Sequence, residues 1–234
     1  GWGRQTVGLA RALSREGIVT LRMDIAGVAE SADTSGRGPL VVYDAAASAD
    51  VLEAAAYLRQ LGYQKPALLG ICSGAFLAFN ALRDCENLSG ALLVNLQKFE
   101  WKQGYELVLY SSISGYVSRL FDRDSLNRLL RGEIRAANIL RNIVTRLGHV
   151  VGTRLMRTLE KVRGLWTRRE ADSDTPLAVL TEACRKGLTI SMAYTQGDGG
   201  IDEMRGELGH NGRLVRKAGD FRFHLIKGAD HNFS

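Results

Sequence analysis

At 234 residues, 45% apolar and 24% charged, the chain has the make-up of a folded domain with one sizeable core, not of a disordered or fibrous protein. No run approaches the ~18–20 apolar residues of a membrane span. Three cysteines (Cys72, Cys85, Cys184) lack metal-ligand spacing and fit a reduced, cytoplasmic setting better than a disulfide framework. The net charge of +6 is concentrated in residues 115–169, which carry a net of +9 and leave −3 for the remainder.

In chain order, Val7, Leu9, Ala10 and Leu13 recur at helical spacing over residues 4–16, and Gly17 supplies a stop. "IVTLRMD" (18–24) reads as a short buried strand, followed by a Gly/Ser/Asp-rich loop. An Ala-rich helix is expected over 42–61, then a strand "PALLGI", a helix over 74–83 and a strand "GALLVNL" over 90–96. After residue 174 come a helix over 176–186, the strand "LTISMAY", a helix over 201–208 and the strand "FRFHLI". Continuous apolar strands alternating with helices predict an α/β fold, a mostly parallel central sheet with helices on both faces.

Residues 97–174 interrupt that alternation with helical stretches and no good strand. The predicted organisation is therefore a core in two parts, 1–96 and 175–234, with a helical cap inserted at 97–174. Both ends read as cuts in a longer chain, which opens on Gly1 at the approach to a helix and stops at Ser234 after "GADHNF".

The most informative stretch is "ALLGICSGAFLAF" (67–79), an apolar run broken by Gly70-Ile71-Cys72-Ser73-Gly74. A strand, one polar residue and a helix describe a sharp turn whose central residue is strained, with small neighbours two positions to either side. Gly70 and Gly74 flank Cys72 in that way, whereas the corresponding neighbours of Ser73 are Ile71 and Ala75. The thiol of Cys72 is therefore the candidate nucleophile, its thiolate favoured by the N–H groups of a helix N-terminus. The backbone N–H of Ser73 would face an oxyanion formed on an attacked carbonyl.

Here the chain resembles the α/β-hydrolase superfamily, whose nucleophile elbow is G-x-S-x-G. The cysteine variant is similar to dienelactone hydrolases and polyhydroxyalkanoate synthases. "LRMDIAGVAES" resembles that superfamily's D-x-x-G-x-G-x-S loop, matching at Asp24, Gly27 and Ser31 and departing at Ala29, where glycine is usual. The overall look is closest to the serine-aminopeptidase-like (S33-type) hydrolases with a helical cap. The resemblance implies a histidine after the last strand, where "GADHNF" offers His231. His224 lies inside the strand, and His149 and His210 have no motif around them. It also implies an acid after the preceding strand, where "TQGDGGIDEM" offers Asp198 and Asp202. Asp198 is favoured, since Asp202 is better placed to N-cap the next helix. The second oxyanion donor is expected in Gly1-Trp2-Gly3, with Trp2 as the candidate.

These roles imply a hydrolase that cleaves a carboxylic ester or thioester through Cys72, His231 and Asp198, with no cofactor or metal. An acyltransferase would use the same three residues, and a binding protein on the same fold would leave the thiol inert. In the basic segment, Ile139, Ile143, Leu147, Val151, Leu155 and Leu159 form an apolar row, with Arg135, Arg141, Arg154, Arg157 and Lys161 mostly off it. That pattern fits a cap helix over the site with a solvated basic face. The same basic face suits an anionic substrate or a membrane surface. Nucleic acid is not an expected partner, because no recognition module is present and aromatics are not interleaved with the basic residues.

Overall fold

Four short apolar runs each find a neighbour of the same kind and direction. β1 (Ala67–Ile71), β2 (Gly90–Val94), β3 (Thr189–Thr195) and β4 (Phe221–Ile226) form a parallel sheet in the order β1-β2-β3-β4. The computed structural model of the chain describes residues 5–29, 31–32, 41–84, 87–101, 174–229 and 231. The register pairs Leu69 with Leu92, Leu92 with Ser191 and Ser191 with Arg222, so side chains from all four strands line up in rows across the sheet.

One set of rows carries the core. Leu68, Ala91, Leu93, Ile190, Met192, Tyr194, Phe221 and Phe223 meet α3 (Ser73–Asp84), α4 (Pro176–Arg185) and α5 (Gly200–Leu208) in a single apolar cluster. The cluster takes no residue from the alternate row, in which Leu69 is 43% exposed. Residues 75–82 of α3 are all buried, because that helix is covered by the sheet, by α2 (Ser48–Gln60) and by α4. Each fully buried Leu or Phe of this kind contributes about 1.5–3 kcal/mol relative to exposure.

Most predicted elements form close to their expected limits, and two differences are physical. α1 (Gln5–Arg15) ends at Gly17 with φ +76°, as its sequence requires. The expected strand over 18–24 does not form: Ile18, Val19, Leu21 and Met23 are 40–59% exposed, and none of the described strands pairs with them. An apolar run is a strand only where a ladder partner takes up its N–H and C=O groups. The helix expected from 42 starts instead at Ser48, after two 3₁₀ turns, Val41–Tyr43 and Ala45–Ala47. Asp44 sets that break, since its side chain accepts the N–H of Ala46 at 2.9 Å and caps the second turn. Of the predicted cap, residues 97–101 lie beside the core, where Phe99 packs edge-on against Phe79, and 102–173 fall outside the described residues. No helix among the described residues is long and apolar enough to cross a membrane.

At the C-terminal end of every strand the chain turns through a residue of positive φ. These are Cys72 (+55°) after β1, Asn95 (+50°) after β2, Gly197 (+83°) after β3 and Gly228 (+75°) after β4. The first of these turns depends on Gly70, where an added Cβ would sit 2.2 Å from the carbonyl oxygen of Gly74. Gly74 itself has no described atom within 4 Å of an added Cβ, so the two glycines are not equivalent. Gly70→Ala should therefore destabilise the protein by at least about 3 kcal/mol in urea unfolding, while Gly74→Ala should leave the midpoint unchanged or slightly raised. Equal effects of the two substitutions would contradict this account of the turn.

Candidate active site

The loops that follow β1, β2, β3 and β4 gather at one edge of the sheet, the end where parallel α/β sheets commonly bind ligands. Cys72 stands between β1 and α3, and its backbone N–H bonds the carbonyl of Val94 at 2.9 Å, which fixes the turn to the end of β2. Its φ of +55° is unusual for a residue with a side chain and directs the sulfur away from the strand.

Asp198 follows β3 and is 2% exposed, yet its carboxylate is fully engaged. Oδ1 accepts the backbone N–H of Gly200 at 2.8 Å and the Gln97 amide at 2.7 Å, and Oδ2 accepts the Nδ1–H of His231 at 2.5 Å. Asp202 lies in the first turn of α5 and is exposed; the helix starts at Gly200 behind Gly199, so Asp202 is not its N-cap. Of the two expected acids, the structure brings only Asp198 to the imidazole.

His231 sits beyond β4 with its side chain 13% exposed. Its backbone carbonyl accepts from the Asn95 amide at 3.1 Å. Because Nδ1 donates to Asp198, the 3.3 Å approach of Gln97 Nε2 to the same nitrogen is a close contact and not a second hydrogen bond. Nε2 is left for the thiol. Burial alone would lower the imidazole, but hydrogen bonds to Asp198 and Cys72, with their charges, raise it to about 10. Burial would likewise raise the Cys72 thiol; His231, the Tyr43 hydroxyl and the Ser73 backbone N–H outweigh it and hold the thiol below its ordinary value. Both shifts favour a thiolate–imidazolium pair. Cys184 behaves oppositely: it is buried, and burial followed by the charge of Asp220 raises it.

Several residues here were not anticipated. Tyr43 places its hydroxyl 3.4 Å from the Cys72 sulfur. Gln97 and Asn95 are both buried and support the acid and the histidine loop. The carbonyl of the Asn95 side chain also takes the N–H of Thr195 at 2.8 Å, tying β2 to the start of the acid loop. Two amides continuing the apolar run "GALLVNLQ" are a visible signal, since a buried amide needs partners. Tyr43 has no such signal. Among the expected residues, Trp2 and His149 lie outside the described residues, and His224 and His210 are exposed, in β4 and in a 3₁₀ turn. Asp24 is exposed, and Ala29 adopts φ +53°, the conformation for which glycine is usual at that place in the loop. Among the described residues no group of three or more His, Cys, Asp or Glu could hold a metal ion.

No family model matches the chain, and no curated protein matches it significantly. Solved structures do resemble it. A putative α/β hydrolase of unknown function from Agrobacterium tumefaciens aligns at 11% identity over 98% of this chain and 69% of its own, with a TM-score of 0.45. A lipase-esterase related protein from Clostridium acetobutylicum aligns at 13% identity over 99% and 84%, with a TM-score of 0.48. A proline iminopeptidase-related protein from Thermus thermophilus aligns at 16% identity over 97% and 78%, with a TM-score of 0.44. The first of the three is described as a putative α/β hydrolase, and all three align at 11–16% identity.

The coupling between thiol and imidazole is open to direct measurement. Iodoacetamide should alkylate Cys72 at a lower pH than an ordinary cysteine, read by peptide mapping against Cys184. Asp198→Asn weakens the imidazolium and should move this alkylation limb to higher pH. Gln97→Leu, which takes one donor from that carboxylate, should slow any turnover about tenfold, the worth of one hydrogen bond to a charged group. Superimposable profiles for wild type and Asp198→Asn would mean that the pair is not coupled.

Proposed function

We propose that the chain is a hydrolase that cleaves a carboxylic ester or thioester through Cys72, His231 and Asp198. The observation that supports this most is the His231 ring, bound on one side to a buried, fully engaged carboxylate and interacting on the other with a thiol at a strained strand-to-helix turn. This is a nucleophile, its base and the group that orients the base, in series.

In the first half-reaction the Cys72 thiolate attacks the carbonyl carbon, a carbon–sulfur bond forms and the carbonyl π pair moves onto oxygen. The Ser73 backbone N–H, which already faces the sulfur, is available to that oxyanion. Collapse breaks the bond to the leaving alcohol or thiol, which takes the proton from His231 Nε2. In the second half, neutral His231 removes a proton from water as it attacks the acyl-thioester, and the thiolate leaves. Asp198 keeps Nδ1 protonated throughout, so Nε2 is the nitrogen that exchanges protons. The substrate class is a small acyl ester or thioester, and the basic residues of 115–169 favour an anionic one or one presented at a membrane surface.

A screen of acyl esters and acyl thioesters of graded chain length tests the proposal. Wild-type protein should release the alcohol or thiol, and Cys72→Ala should lose nearly all turnover. Ser73→Ala should be mild, because only its backbone is used. A Ser73 variant as inactive as the Cys72 variant, or wild-type activity that survives Cys72→Ala, would overturn the assignment.

A further inference from the structure

Tyr43 enters the site from the segment before α2, far in sequence from the elbow and the histidine loop. Its ring is held on two sides, stacked on Trp101 with centroids 4.1 Å apart and planes 15° from parallel, and tilted 59° against Phe76 at 5.6 Å. Those contacts fix the ring plane, and the O–H turns about the single bond that joins it to the ring. The hydroxyl oxygen lies 3.4 Å from the Cys72 sulfur, within hydrogen-bonding range for sulfur. A thiolate carries no proton to give, so in that state the phenol donates.

Resting on the cysteine-hydrolase reading above, we propose that Tyr43 is a further catalytic residue of the site, a side-chain oxyanion donor whose hydrogen bond passes from the Cys72 sulfur to the substrate oxygen during acylation. When the carbon–sulfur bond forms, negative charge leaves the sulfur and appears on an oxygen two bonds away. A donor fixed on the sulfur alone would lose its partner at that moment. The phenol O–H can follow the charge by rotating, since an oxyanion donor needs to come within roughly 2.7–3.1 Å of that oxygen. The phenol keeps its proton throughout; only the acceptor changes. The leaving group is still protonated by His231, so Tyr43 adds no proton to the balance. With the Ser73 N–H this makes two donors, one from the backbone and rigid, one from a side chain and adjustable.

The test compares two reactions of the same sulfur. Iodoacetamide alkylation uses the thiolate but forms no oxyanion, whereas acylation by a series of p-nitrophenyl esters forms one. Tyr43→Phe keeps the ring and its stacking and removes only the hydroxyl. In this variant the acylation rate should fall about 100-fold, in kcat with KM little changed. The alkylation rate with the thiolate fully formed should change less than about tenfold, a single lost hydrogen bond. Equal losses in the two reactions would assign Tyr43 to holding the thiolate alone and overturn the proposal. So would acylation at the wild-type rate, while leaving the hydrolase reading intact. Wild-type protein that alkylates at Cys72 yet is acylated by no ester would instead defeat the hydrolase reading, and the oxyanion role with it.

Discussion

Everything at the site's edge of the sheet depends on how closely α3 can approach the end of β1. At Gly70 the approach leaves no room for a side chain, because the Gly74 carbonyl occupies the position a Cβ would need. The chain can reverse there only if Cys72 takes a left-handed backbone conformation, which costs a residue with a side chain about 1–2 kcal/mol. The burial of α3 along residues 75–82, against strands on one side and α2 on the other, more than offsets that cost. The strain is thus local and its compensation is spread through the core. The sulfur consequently stands at a helix N-terminus, in reach of the adjacent Ser73 N–H and of donors from two other parts of the chain, Tyr43 and His231.

The electrostatics of the site follow from where charge can be buried at low cost. Asp198 is almost inaccessible to water, but backbone, amide and imidazole donors replace its hydration. A carboxylate so arranged steadies a cation beside it, and of its described partners the imidazole is the one that can become a cation. That in turn favours an anion on the far side of the ring, where the sulfur lies. Cys184, without an imidazole, shifts in the opposite direction under the same kind of burial. The two thiols differ in their partners: an imidazole and a phenol beside Cys72, a carboxylate near Cys184.

Legibility in the sequence tracked how local the physics is. The elbow could be read because its requirements fall within five consecutive residues, although only Gly70 of its two glycines meets a steric limit. His231 and Asp198 were reached through the resemblance, whose order of nucleophile, acid and histidine points to the loops after β3 and β4, and the structure brings those two side chains together. The strand expected over 18–24 failed because apolar content says nothing about whether a ladder partner is present. The early start of the α2 helix failed on one side chain, Asp44, which caps a 3₁₀ turn instead. Tyr43 was invisible: what brings it to the sulfur is its packing between Phe76 and Trp101, residues 33 and 58 positions away.

The histidine loop is held by more than its imidazole. Asn95 grips residue 231 by its main-chain oxygen, and Asn95 is itself anchored to β3 through Thr195. The loop's docking thus has an anchor that does not involve the imidazole. Were the ring exchanged for a smaller group, that anchor would still tether the loop beside Asp198, leaving a ring-shaped vacancy floored by a carboxylate. Such a hollow has the outline and charge preference of a small diffusible nitrogen base.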